Sequence, residues 1–204
     1  YQPSRGLGDV YKRQAFYGLP SMSNNHGVPV NAVFGYTKML LKLIDDFKPI
    51  YVAVIFDVAR KTFRNDLYDL YKANRSDPPD ELIPQFSIIR DATNAIGLPV
   101  VEMEGYEADD LIATYSDIAS KMNKNVIIVS SDKDLMQLVD QNITLFDPMK
   151  QFWINDDKVF EKFGVYPNKV IDVQSLAGDT SDNIPGVPGI GIKTAAESVS
   201  YTHL

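Results

Sequence analysis

Residues 105–110 read Gly-Tyr-Glu-Ala-Asp-Asp, so three carboxylates, Glu107, Asp109 and Asp110, fall within four residues. An apolar helical pattern follows at Leu111, Ile112, Tyr115, Ile118 and Ala119, which puts the acids in the first turn of a helix. Glu107 and Asp110, spaced i,i+3, share one face. Acids in a first turn also offset the positive end of a helix dipole, so taken alone the stretch is equally ordinary helix chemistry. Five more acids change the balance. Asp57 ends the apolar run 51–56, Asp132 and Asp134 follow the run 126–129, and Asp179 and Asp182 stand in Gly178-Asp-Thr-Ser-Asp-Asn183. Each lies just past an expected strand or helix end, and α/β sheets bind ligands outside the carboxyl ends of their strands. Eight carboxylates converging there would repel one another unless divalent cations neutralised them. Oxygen ligands without Cys favour a hard ion, Mg²⁺ or Mn²⁺, and two such ions on carboxylates make a phosphodiester-hydrolysing site.

Two other stretches carry chemistry. Lys61-Thr-Phe-Arg64 and Tyr68 through Arg75 interleave aromatics with bases, including Tyr71 and Lys72. Aromatic faces can stack unpaired bases while Lys and Arg hold phosphates; a solvated helix with inward-facing aromatics has the same pattern. The second stretch is Gly186-Val-Pro-Gly-Ile-Gly-Ile-Lys-Thr-Ala195. Gly189 and Gly191 allow positive φ and close backbone approach, and Lys193 and Thr194 then open a helix whose N–H groups suit phosphate. The spacing is not that of a mononucleotide P-loop. It resembles a helix–hairpin–helix turn, which holds a nucleic-acid backbone without reading bases; a plain tight turn is the competing reading. His26 reads as a loop residue and His203 as tail.

The elements that must position these groups follow from periodicity. Helices are expected over 30–47, 80–96, about 107–122, 133–139, near 155–163 and 167–177. Strands are expected at 50–56, buried on both faces, at 97–101, 125–130 and 143–146. Strands alternating with helices mean α/β with a mostly parallel sheet. Residues 1–14 and 198–204 read as non-native tails. The net charge is −7, but setting the eight acids aside leaves +1, and residues 60–75 carry five bases (Arg60 among them) against two acids. An acidic pocket beside a basic patch is therefore expected. No run is long enough to span a bilayer, no secretory signal is present, and Cys is absent; a cytoplasmic protein is expected.

Six pieces in order resemble the 5′-nuclease region of bacterial DNA polymerase I and its stand-alone 5′–3′ exonuclease relatives, within the flap endonuclease superfamily. They are Val54-Ile-Phe-Asp57, Lys61-Thr-Phe-Arg64, Tyr71-Lys72 with Arg75, Gly105–Asp110, Ser131-Asp-Lys-Asp134, and Leu176–Gly186 running into Gly189-Ile-Gly191. The resemblance covers roughly residues 15–197. It implies a PIN-like α/β core over 15–165 with a helical arch at about 60–80. From 166 to 197 it implies the start of a helix–three-turn–helix module that grips duplex DNA with a bound K⁺. It implies cleavage of DNA at a 5′ end or flap of branched or nicked duplexes in replication and repair, and a covalently linked polymerase domain in the natural protein. By position, Asp57, Glu107, Asp109, Asp110, Asp132, Asp134, Asp179 and Asp182 would serve two metal ions. Lys72 and Arg75 would face the scissile phosphate. Lys61, Arg64, Tyr71, Gly186, Gly189, Gly191, Lys193 and Thr194 would contact DNA. The family's first strand ends in Asp-Gly, where this sequence has Leu7; Asp9 is out of register. Impaired catalysis is therefore expected of this chain as written, and a catalytically incompetent DNA-binding fragment is the alternative. An RNA-cleaving PIN toxin shares the acidic core but lacks the 186–195 hairpin.

Overall fold

The computed structural model describes residues 16–59 and 61–201. The expectations for residues 1–14, including Leu7 and Asp9, and those for Arg60 and His203, lie outside the described residues. The chain divides into two compact units. One runs to Phe63 and resumes from Ser76 to Leu111; the other holds Arg64–Arg75 and everything from Ile112 on.

In the first unit, α1 (Asn31–Phe47) buries Asn31, Ala32, Tyr36 and Leu40 and ends where Lys48 turns left-handed ahead of Pro49. Its first turn has no side-chain cap of its own. The Gln85 carboxamide of α3 (Ile83–Ala95) fills that role, accepting from the Ala32 and Val33 N–H groups at 2.8 and 3.2 Å and donating to Asn31 at 2.9 Å. The orphan donors of a helix start are thus met from 53 residues away. Tyr36, Leu40, Phe56, Leu82, Phe86 and Ile89 form the core between these helices. Strands β1 (Val54–Ile55) and β2 (Val100–Val101) pair in parallel. Both are shorter than expected: Pro99 has no N–H to extend the ladder, and Ile50 and Tyr51 are 89% and 83% exposed. The apolar run 50–56 is therefore not buried throughout. Among the described residues only its end meets a partner strand, and an apolar side chain is buried only where something covers it. The segment expected as an arch holds one five-residue helix, α2 (Phe63–Leu67), followed by turns over 69–74.

The unit boundary falls within α4 (Ala108–Lys121). Leu111 and Ile112 on it are buried, whereas Tyr115 and Ile118 are half exposed, so the apolar stripe is shorter than its periodicity suggests. In the second unit, β3 (Val126–Val129) pairs in parallel with β4 (Ile143–Asp147). β4 pairs antiparallel with β5 (Phe152–Ile154), a strand the periodicity did not reveal. Two of the three strand pairings are parallel, but among the described residues the strands form two small sheets. The expected short helix after β3 is a 3₁₀ turn, Asp134–Leu138. Helix α5 (Asp156–Phe163) starts on the Asn155 cap and stops at Gly164, in the left-handed region at φ 73°. A Cβ at Gly164 would press on Ala196. Helices α6 (Val170–Ala177) and α7 (Ile192–Tyr201) pack together, burying Val170, Val173, Ala195, Ala196 and Val199. Among the described residues no helix is long and apolar enough to cross a membrane.

Candidate metal centre and nucleic-acid interface

Four candidate acids belong to the first unit. Asp57, just past β1, is buried, and its Oδ1 accepts the Ala108 N–H at 2.7 Å. Asp110 Oδ2 accepts the N–H of buried Glu107 at 2.9 Å. Glu107 stands directly before α4, so Asp110 forms half of a capping box, and both carboxylates sit where the helix dipole is positive. The helix-chemistry reading thus holds for Asp110, and it also explains how Asp57 is seated. Asp109 is half-buried on the same turn. Behind Asp57, Arg90 donates to its carbonyl at 2.7 Å, pairs with Glu102 at 3.1 Å and lies over the Phe56 ring.

The second unit gathers Asp132, Asp134 and Asp179 around Lys133. Asp132 follows β3 and accepts the Asp134 N–H at 2.9 Å, a local turn just past the strand end. Asp134 accepts from Gln174 of α6 at 2.5 Å. Lys133 Nζ pairs with the buried Asp179 Oδ2 at 2.7 Å; Ser181 donates its N–H and its hydroxyl to the other oxygen. Burial, joined by the charges of Asp132 and Asp179, pushes the Asp134 carboxyl up to about 6. Burial would also raise Asp179, but the hydrogen bonds from Lys133 and Ser181 outweigh it and hold that carboxyl below its usual value. For Lys133 burial acts downward and is overcome by Asp179, Asp134 and Asp132, so its ammonium is raised.

Asp182, three residues after Asp179, has different company. Its carboxylate takes the Tyr71 hydroxyl at 3.2 Å, Lys72 Nζ at 3.7 Å and the Arg75 guanidinium. Tyr71 is buried, with only 8% of its surface exposed. Lys61, Lys193 and Thr194 are exposed and Arg64 is half-buried. Gly189 sits at φ 81°, where glycine is favoured. Gly191 has open space and needs no such freedom, so the expectation of special backbone holds for Gly189 alone. Gly186 is needed for another reason: a Cβ there would overlap the Ala177 main chain, and one at Gly178 would overlap Gly186 and Ile184. These two glycines let the 178–186 loop close on itself and set Asp179 and Asp182.

Among the described residues no three Asp, Glu or His side chains stand close enough to hold one ion as they are. The donor chemistry of the second unit nevertheless fits a hard divalent cation. Three carboxylates crowd one lysine, and burial, joined by the charges of Asp132 and Asp179, disfavours the ionised form of Asp134, a cost that such an ion offsets. Sequence reading missed Lys133 and Ser181, although they stand inside the Ser131-Asp-Lys-Asp134 and Gly178–Asn183 motifs, and it missed Gln174, which carries no signal until the fold brings it in.

An α/β fold with acids past its strands, followed by helices joined through a glycine turn, defines a PIN-like protein of the acid-centred kind. The chain belongs to the 5′–3′ exonuclease family: residues 8–164 match the 5′–3′ exonuclease N-terminal resolvase-like domain and residues 165–203 the C-terminal SAM fold. It is 52% identical to the DNA polymerase I of Rhizobium leguminosarum over 94% of this chain and 20% of that protein. It is 40% identical to the 5′–3′ exonuclease of Aquifex aeolicus over 92% of this chain and 65% of the relative. The chain thus spans less than two thirds of either relative. Among solved structures, the T5 D15 protein co-crystallized with metal ions superposes with a TM-score of 0.73 at 23% identity, covering 83% of this chain and 68% of that one. The catalytic core of Rad2 in complex with DNA has a TM-score of 0.56 at 16% identity, over 94% and 57%. At these identities the likeness is one of fold.

Proposed function

We propose that this chain hydrolyses DNA phosphodiester bonds at a 5′ end or flap, with two divalent ions, Mg²⁺ or Mn²⁺. The observation that carries this reading is the group of Asp132, Asp134 and Asp179, all hard-oxygen donors, with Asp134 pushed to about 6 by burial and by its neighbours. Bound divalent ions would supply the Lewis acidity for attack of water on phosphorus. Asp57, Glu107, Asp109 and Asp110 would hold such an ion in the first unit, and Asp132, Asp134, Asp179 and Asp182 in the second. Lys72 and Arg75 would balance charge on the scissile phosphate. Lys61, Arg64 and Tyr71, with the Gly186–Gly191 turn, Lys193 and Thr194, would hold the DNA backbone, with K⁺ at that turn. The family membership supports this reading. So does the T5 D15 flap endonuclease, a relative in fold described in complex with DNA and metal ions.

A polymerase domain linked to this chain in the natural protein, and a cytoplasmic site of action, complete the proposal; the first is supported by DNA polymerase I relatives about five times as long as the aligned segment. The test is cleavage of a 5′-flap duplex against single-stranded RNA, with and without Mg²⁺. Mg²⁺-dependent cutting of the flap alone is the expected result. Flap binding without cleavage would make the chain a DNA-binding fragment, and RNA cutting would overturn the substrate class.

A further inference from the structure

Asp132, Asp134 and Asp179 each have an anchor that does not involve the Lys133 side chain. Asp132 sits in a turn where Ser130 Oγ accepts its N–H at 2.8 Å and its own Oδ1 accepts the Asp134 N–H at 2.9 Å. Asp134 Oδ1 accepts from the Gln174 carboxamide. The main chain of Asp179 pairs with that of Ile184 in both directions, at 2.9 and 2.8 Å, and its Oδ1 accepts the N–H and the hydroxyl of Ser181. These bonds hold the carboxylates in place whether or not the lysine is there. What Lys133 adds is charge: its ammonium stands 2.7 Å from Asp179 Oδ2, and the charges of Asp134 and Asp132 act on it as well.

The two oxygens of Asp179 differ. Oδ1 already takes two hydrogen bonds from Ser181. Oδ2 is buried and faces the Lys133 ammonium. A cation that binds Asp179 therefore has to use Oδ2, the oxygen that the ammonium holds. Of the two partners, the lysine is the one that can leave. Its side chain is 35% exposed against 7% for Asp179, and it carries a strongly hydrated head on a flexible four-carbon stem. Without it, three carboxylates in a partly buried place would repel one another uncompensated.

We propose that Lys133 is the built-in counter-ion of this carboxylate group: its ammonium neutralises Asp179 when no metal is bound, and a divalent cation binds by displacing it from Oδ2. Lys133 thereby sets the cation concentration at which the group fills. A monovalent ion, with no more charge than the ammonium, has no Coulombic advantage in the exchange. This rests on the divalent-metal reading above and adds a competitor to it.

The test needs no DNA. Acetylation of Lys133 by an amine-reactive ester, read by peptide mass spectrometry, is followed on the full chain in chelator and in saturating Mg²⁺, with calorimetry reporting Mg²⁺ binding. Mg²⁺ should speed the labelling of Lys133 several-fold and leave that of exposed Lys124 unchanged. Lys133→Gln should bind Mg²⁺ about tenfold more tightly than wild type, because the competing charge is gone. It should also melt lower in chelator and gain more from Mg²⁺. Lys133→Arg keeps the charge and should bind no more tightly than wild type. A merely structural lysine predicts equal melting losses in both buffers and no tightening. Unchanged labelling of wild type in Mg²⁺, or no tightening in Lys133→Gln, overturns this proposal and leaves the metal reading standing. The labelling arm decides even if Lys133→Gln fails to fold. No Mg²⁺ binding by the wild-type chain overturns both.

Discussion

At the start of α4 main-chain donors balance the acids: Asp57 takes the Ala108 N–H and Asp110 that of Glu107. After β3 and in the 178–183 turn the balancing groups are side chains, namely Lys133, Gln174, Lys72 and Arg75. The first arrangement comes with the helix and cannot be lost while the helix stands. In the second, side chains from distant parts of the chain do the balancing, Arg75 standing 107 positions before Asp182. The first group is thus seated by backbone geometry and the second by tertiary pairing of side chains. That difference also predicts opposite responses to removing a charge.

The largest effect is expected at the turn that sets Asp179 and Asp182. Gly178→Ala forces a Cβ into the Gly186 and Ile184 main chain at φ 71°, which should cost about 3 kcal/mol or more in thermal unfolding. Gly105→Ala, ahead of α4, has a similar φ of 83° but open space, so it should cost only about 1 kcal/mol of backbone strain. Equal losses at the two sites would erase the distinction.

Next comes Asp134→Asn. It should lower flap cleavage by about 100-fold, the scale of a lost carboxylate at a metal site. In chelator it should stabilise the fold at neutral pH by up to about 3 kcal/mol, because the folded state no longer holds a charge that it disfavours. A destabilised Asn variant would mean that the Gln174 hydrogen bond outweighs the repulsion.

The pH dependence has a definite sign. A carboxyl raised from 3.8 to about 6 is protonated more readily in the folded chain than in the unfolded one. Stability in chelator should therefore rise as pH falls from about 7 to about 4, and that rise should vanish in Asp134→Asn. Asp179 works oppositely and lower: held below 3.8, it adds stability above that value and loses it as pH falls further. Urea titrations at stepped pH resolve the two windows, and a wild-type slope unchanged in the variant would refute the assignment to Asp134.

The smallest effect is Asp110→Ala. Removing a capping acceptor from the α4 start should destabilise by about 1 kcal/mol, opposite in sign to Asp134→Asn, and should leave the pH slope between 4 and 7 intact.

Much of this molecule was legible as a string of residues. The spans of α1, α4, β3, β4 and α5 follow from apolar periodicity, and the α4 start follows from acids ahead of an apolar run. The family follows from six motifs in order. All of these depend on residues a few positions apart, where helix geometry or strand alternation links side chain to backbone directly. Tertiary structure alone decided which partner each polar group found. Gln85 caps α1 from 53 positions away. Ile50 and Tyr51 lie exposed although their run reads as a buried strand. Lys72 and Arg75, bases that read as phosphate ligands, rest on Asp182. Local spacing cannot announce such pairings, because the cost of closing a long loop rises only slowly with its length, so many distant partners compete on nearly equal terms. Burial, main-chain packing at Gly178 and Gly186, and the net charge at each carboxylate then select among them.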